Sequence, residues 1–399
     1  MKVLLCHVYY QQRGGEDHSY EAEAALLESR GHEVVRFTMH NDDIRRLSRW
    51  SVGWGAIWNR RSRREVGEIL RRERPSVMHC TNLFPLISPS VYYAARAEGV
   101  PVVQSLRNYR LICANGFFYR DGGVCETCLD RSSGWPGVVH ACYRDSRAES
   151  AASVAVASVH RTIGTWGRAV DAYVTPTEFA RQKFIAAGFP ADRIVSKPNF
   201  IEPAPVPGTG GGGYAVFAGR LAPEKGVRTL LDAWTFLPAG WRLKILGDGP
   251  ERERVIAACR RDRRIEWLGR QPLATVLSIV GEAEALVMPT LGHETFGRTI
   301  MEAFAVGTPV VASRCGTTLE LVDHWRTGLH FDQGDGGHLA ATLRLLAEHP
   351  SRLAGMREAA RAEFERRYTG ERNYRLLMDI YRRAMEAGAE AVPARVTSS

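Results

Sequence analysis

The stretch from Ala283 to Ser313 reads AEALVMPTLGHETFGRTIMEAFAVGTPVVAS. Ala285 to Met288 is a short apolar run ended by Pro289, as expected of a strand buried on both faces of a parallel sheet. A polar loop with Gly292 follows. From Gly297 to Val306 the apolar residues Ile300, Met301, Phe304 and Ala305 recur at helical spacing, Gly307 gives the stop signal, and Pro309 to Ala312 reads as the next strand. A strand, loop, helix, strand unit of this kind predicts an open parallel α/β sheet. Two carboxylates stand in it, Glu294 in the loop and Glu302 about one turn into the helix.

Open parallel sheets bind ligands at the carboxyl ends of their strands, where a helix N-terminus offers N–H groups and positive partial charge to a phosphate. Carboxylates beside such an end repel phosphate and suit hydroxyl groups, so the combination points to a nucleotide sugar. Glu294, Phe296, Gly297 and Glu302 stand as the E-x7-E motif does in retaining glycosyltransferases of family 4, and the chain resembles that family. The resemblance implies an α/β fold of GT-B type, two facing Rossmann-like domains with a cleft between them.

Other segments carry the resemblance in the same order along the chain. Lys2 to Val8 is a hydrophobic strand followed by the loop YQQRGGED, with Gly14 and Gly15, and a helix that stops at Gly31. The loop lacks the three-glycine dinucleotide fingerprint and the acidic residue that holds a ribose, which argues against a dehydrogenase. In the family, a Gly-Gly here lets the backbone approach donor and acceptor. The segment IEPAPVPGTGGGG, Ile201 to Gly213, holds too many Pro and Gly for a regular element and reads as the linker between domains. A strand from Tyr214 to Ala218 then leads into GRLAPEKG, where Arg220 and Lys225 flank a Pro turn and can converge on a diphosphate as fork and point charge. This string resembles the family's phosphate-binding segment.

The expected domains are residues 1–200 for the acceptor, with a helix at 372–386 packing back on them, 201–371 for the nucleotide sugar, and a disordered tail at 387–399. The resemblance implies that Glu294, Arg220 and Lys225 form the catalytic set. Gly14, Gly15, Gly269, His293, Phe296, Gly297 and Glu302 would line the donor, the last at the ribose hydroxyls. Strand ends carrying His79, Asn82, Arg107, Asn108 and Tyr109 point to one edge of the first domain, the expected acceptor side. Many members have His-Asp where this chain has Arg107-Asn108, so that histidine's role is not carried over.

At 399 residues the chain is long enough for two cores, and a hydrophobic share of 45% is globular. No apolar run reaches the roughly 18 residues of a membrane span. Met1 to Cys6 leads directly into a strand rather than a signal peptide, and the expected location is the cytoplasm. The formal charge of +9 implies an anionic ligand or surface, and no nucleic-acid partner is expected. Between Arg45 and Arg74 there are ten Arg against three Glu, with Trp50, Trp54 and Trp58 four residues apart. On a helix this suits peripheral contact with the inner face of a membrane; packing of the Trp row on its own domain is the competing reading, and Gly53 and Gly55 weaken a helix here. No cofactor is expected. Cys113, Cys125, Cys128 and Cys142 include one C-x2-C pair open to structural zinc, with reduced thiols the favoured state. The acceptor is a small-molecule or lipid-linked saccharide, in glycan, exopolysaccharide or glycoside biosynthesis. A non-hydrolysing nucleotide-sugar epimerase and a non-catalytic sugar-nucleotide-binding protein are the rivals; the first lacks an acid and base set in the first domain, the second is opposed by intact Arg220, Lys225 and Glu294.

Overall fold

The computed structural model describes residues 1–129 and 133–390. It is an α/β structure of two units, each built on a six-stranded sheet whose pairings are all parallel. The first unit holds Met1–Gly116, Glu126–Pro198 and the chain from Glu371 on; the second holds Phe117–Cys125 and Asn199–Gly370. The segment Phe117–Cys125 falls inside the 1–200 span expected for the first domain, yet it packs with the second unit.

The strands of the first unit are β1 (Lys2–Tyr9), β2 (Glu33–His40), β3 (Val77–Cys80) and β4 (Val102–Ser105). The hairpin β5 (Tyr119–Arg120) and β6 (Gly123–Val124) belongs to the second unit, and the first sheet resumes with β7 (Ala172–Thr175) and β8 (Ile194–Ser196). Its order is β2-β1-β3-β4-β7-β8. The final helix, Gly370–Glu390, sends Leu377, Ile380, Tyr381 and Ala384 into the core formed by Val3, Tyr20 and Val77. It outruns the expected 372–386, and residues 391–399 of the expected tail lie outside the described residues.

The second sheet comprises β9 (Tyr214–Ala218), β10 (Arg242–Leu246), β11 (Ile265–Gly269), β12 (Ala285–Met288), β13 (Val310–Ser313) and β14 (Gly328–Phe331). They run β11-β10-β9-β12-β13-β14, the doubly wound order, with its reversal point between β9 and β12. β12 is buried throughout, and the helix Arg298–Ala305 buries Ile300, Met301, Phe304 and Ala305 beneath it.

The glycine-rich segment read as the linker between domains holds no regular element and is bonded to this unit. Gly208 N–H donates to Val306 O at 3.0 Å, Gly210 N–H to Gly281 O at 3.1 Å and Gly212 N–H to Glu282 O at 2.9 Å. A Cβ on Gly208 would lie 2.2 Å from Gly281 O, so glycine is needed for close backbone approach as well as for freedom. Arg357 donates to the carbonyls of Gly208 and Gly281, both at 2.9 Å.

The helix Arg49–Ile57 forms despite Gly53 and Gly55, its N-terminus capped by the Ser48 hydroxyl, which accepts from Ser51 N–H at 3.1 Å. Trp50 is 82% and Trp54 71% exposed, whereas Trp58 lies near parallel to His160 with ring centroids 6.1 Å apart. The Trp row therefore divides: two rings face outward and the third packs inside. No described helix is long and apolar enough to cross a membrane.

Candidate functional site

In the second unit, the loops after β9 and β12 meet at the reversal point of the sheet. They are locked through backbone. The Glu224 carbonyl accepts from Leu291 N–H at 2.8 Å, Gly292 N–H at 3.3 Å and the Thr290 hydroxyl at 3.1 Å. Gly226, at φ +71°, starts the helix Val227–Thr235, and a Cβ there would fall 1.8 Å from Pro289 O. Gly226→Ala therefore combines left-handed strain of about 1–3 kcal/mol with a backbone clash. The expected outcome is a melting temperature several degrees lower and weaker nucleotide binding, read by thermal shift with and without nucleoside diphosphate.

This locking brings Lys225 and Glu294 together, Nζ to Oε1 at 2.5 Å, at side-chain exposures of 24% and 16%. The Glu294 carbonyl accepts from the Thr317 hydroxyl at 2.5 Å, which fixes the loop from the far side. Arg220 pairs with Glu224 and stacks over the Phe117 ring, 5.6 Å from its centroid, with half of its side chain exposed. Two cations, each paired with a carboxylate, thus line one strand-end edge.

Gly297, at φ +78°, occupies the N-cap of the helix Arg298–Ala305 and supplies no side-chain cap, while its carbonyl accepts from Ile300 N–H at 2.9 Å. The Phe296 side chain is in the core, edge-on to Tyr368 at 5.9 Å, so only its backbone can serve a ligand. Glu302 is buried and joined to Arg298 Nε at 2.7 Å; burial raises its pKa above the usual carboxylate range, against the pull of Arg298. His293 is buried, its N–H donating to Phe117 O at 2.9 Å and its Nδ1 lying 3.7 Å from Cys315 Sγ. Gly269, at the end of β11, accepts from Gly247 N–H at 2.7 Å.

The first unit has its own pocket, about 70 Å³ in volume, at the ends of β3 and β4. Asn82, Arg107 and Asn108 line it, with Glu16, Gln104 and Arg110. Asn108 Nδ2 donates to Glu16 Oε1 at 2.7 Å, and Asn82 Nδ2 to Val8 O at 2.8 Å. Gly14 and Gly15 open the helix that carries Glu16; Gly14 N–H donates to Asp17 Oδ2 at 2.9 Å, and a Cβ on Gly14 would meet nothing within 4 Å. Tyr109 is fully buried, its ring near parallel to Phe184. His79 is buried too. Its ring nitrogens are engaged by Tyr381 Oη at 2.8 Å and Ser105 Oγ at 2.9 Å, and burial pushes its pKa down to about 4. That geometry leaves His79 no ring nitrogen for a ligand.

Arg107 binds Glu23 at 2.8 Å, and the same Oε1 takes Lys197 Nζ at 2.5 Å, a buried carboxylate between two cations. Burial favours the neutral acid, but Arg107 and Lys197 outweigh it and hold Glu23 far below the usual carboxylate range. Among the described residues, no group of three or more His, Cys, Asp or Glu side chains is arranged to hold a metal ion.

Several participants escaped the sequence reading. Arg298 was legible as the i,i+4 partner of Glu302. Thr317, Glu23 and Phe117 are not adjacent in sequence to the groups they meet, and no local pattern marks them.

The family model described as "Glycosyl transferase 4-like domain" matches residues 14–199, and that described as "Glycosyl transferases group 1" matches 212–349. The chain is 32% identical over 155 residues to a glycogen synthase of Mycobacterium tuberculosis, a match spanning 37% of this chain and 36% of that protein. It is 32% identical over 180 residues to a D-inositol 3-phosphate glycosyltransferase of Corynebacterium urealyticum, spanning 42% of each. Each match thus covers less than half of the relative. Among solved structures, Anabaena HepE in complex with UDP superposes with a TM-score of 0.66 at 17% identity, covering 95% of this chain and 99% of that one. Sucrose-phosphate synthase from Thermosynechococcus elongatus gives 0.72 at 14% identity, with 97% and 99% covered.

Proposed function

From its place among the GT-B glycosyltransferases, as a 4-like domain followed by a group 1 domain, we propose that this chain moves a sugar from a nucleotide-diphosphate sugar to an acceptor hydroxyl with retention of anomeric configuration. The observation that carries the reading is the meeting of Lys225 and Glu294, 2.5 Å apart, at the reversal point of the second sheet. A bound donor would exchange that ion pair for its own groups. Lys225 and Arg220 would take the diphosphate, and Glu294 would hold the sugar hydroxyls. The N–H groups at Phe296 and Gly297 would meet phosphate oxygens, and Glu302 the ribose. Charge developing on the leaving diphosphate is then met by side-chain cations and backbone N–H groups, a metal-independent route. Glu294 acts here as a positioning group within the catalytic site.

Incubation with UDP- and GDP-sugars, followed by NMR, tests this. Slow hydrolysis that first releases the donor's own anomer is expected. An epimer without nucleotide release would make the protein an epimerase, and no turnover with any donor a binding protein.

The acceptor is proposed to be a saccharide or aglycone, free or lipid-linked, handled in the cytoplasm during glycan or glycoside biosynthesis. Exposed Trp50 and Trp54 beside the Arg-rich helix Arg60–Glu73 support peripheral contact with anionic lipid. Replacing both Trp by Ala should reduce cosedimentation with phosphatidylglycerol vesicles several-fold; unchanged binding would remove the membrane from the reading.

A further inference from the structure

The pocket of the first unit holds a guanidinium without an ionic partner. Arg110 lines it, and among the described residues no ion pair joins that side chain to a carboxylate; Glu16, on the same wall, acts on it from longer range. Its Nη1 meets only the Tyr10 hydroxyl, at 3.4 Å, and its Nε is buried with no hydrogen-bond partner. Phe84 and Tyr143 approach the guanidinium with ring centroids at 5.3 and 5.8 Å. The backbone N–H of Arg110 donates to Asn108 Oδ1 at 2.9 Å, which sets where the side chain begins.

The neighbouring charges do not cancel it. Glu23 is shared by Arg107 and Lys197, one carboxylate for two cations. Glu16 is reached by Arg110 only through Tyr10, whose hydroxyl donates to Glu16 Oε2 at 3.1 Å, while Asn108 occupies Oε1. The charged side chains lining this pocket of about 70 Å³ are Arg107, Arg110 and Glu16, two cations against one carboxylate. A half-buried cation of this kind is costly unless an anion meets it, and a planar guanidinium beside two rings is suited to bidentate capture of phosphate or carboxylate. Glu16, a hydrogen-bond acceptor on the same wall, suits a hydroxyl beside that anion.

We propose that this pocket binds an acceptor that carries a phosphate or carboxylate group next to its hydroxyls, with Arg110 holding the anion. The proposal rests on the transferase reading, which assigns the first unit to the acceptor. Isothermal titration of the full chain with glucose 6-phosphate, glucuronate and glucose tests it. The anionic sugars should bind roughly ten- to a hundredfold more tightly than glucose, and whichever of the two binds better identifies the anion. Arg110→Gln should abolish that preference and Arg110→Lys keep part of it, because a point charge replaces the fork. Arg144→Gln, at an exposed arginine that also approaches Tyr143 but lies outside the pocket lining, should leave it intact. Lys225→Ala should also leave it intact, which separates this site from the donor site. UDP or GDP affinity of Arg110→Gln should equal that of the wild type, which reports a folded protein. Equal affinity for the charged and neutral sugars, or an anion preference that survives Arg110→Gln, would overturn the proposal. Anion preference in a chain that binds no nucleoside diphosphate would keep the anion site and overturn the transferase reading instead.

Discussion

Lys225→Ala is expected to lower kcat for sugar transfer by roughly 10²–10³-fold, the loss typical of deleting one preorganised group that faces developing charge. The leaving diphosphate gains negative charge as the glycosidic bond breaks, so a cation aimed at it acts more strongly on the transition state than on the bound donor. Lys225 is placed for this by the turn Pro223–Lys225, whose following glycine abuts Pro289 O, and by its contact with Glu294. A quarter-exposed side chain contributes little to folding, so the variant's melting temperature should stay near that of the wild type while kcat falls. Lys225→Arg should recover little, since a longer planar group does not fit a site shaped for a compact ammonium. Steady-state rates with a competent donor, beside the melting curve, give the answer. An unchanged kcat would sink the proposed catalytic set.

Glu23→Gln should destabilise the protein by about 3–5 kcal/mol, because it leaves two buried cations, Arg107 and Lys197, without their anion. Burial works against ionised Glu23, but the two cations prevail and the folded pKa lies below the unfolded one. Its stabilisation is therefore present above the ordinary glutamate pKa and is lost as pH falls through and below it. His79 adds a second acid-sensitive step. Its pKa of about 4 in the folded state is lower than the ordinary histidine value, so the unfolded chain takes up a proton first, and stability declines as pH drops from about 6.5 towards 4. Denaturant midpoints against pH should show both steps in the wild type. In Glu23→Gln the decline below the ordinary glutamate pKa should shrink, with Asp262 and Glu363 keeping part of it, and the histidine step should remain. An undiminished decline would mean that Glu23 does not contribute to it.

The fold was legible where periodicity was strong and chain-local. Ala283–Ser313 announced a strand, loop and helix because burial on both faces forces a continuous apolar run, and the structure places those elements there. β8 was missed because three residues, Ile194–Ser196, leave no room for alternation to develop. At Gly208–Gly213 composition showed that no regular element would form but not that the glycines serve close backbone approach. At the candidate site, Lys225 and Glu294 were readable as chemistry, but their contact spans 69 residues and only the sheet order brings it about. The departure at Arg107 was visible as a departure. Its partner Glu23 was not, since nothing in a helix entry at residue 15 marks an anion for a strand end beyond residue 105.

The helix Gly370–Glu390 has a consequence for the order in which the protein is made. It supplies Tyr381 to His79, Asn373 to Lys197 and four apolar side chains to the first core, and it follows the whole second unit in the chain. A ribosome that has delivered residues 1–198 has therefore delivered an unfinished unit, with a histidine and a lysine each still lacking one partner. The second unit, begun later, can close before the one that started first, so the polypeptide is synthesised from one end but completed from the middle.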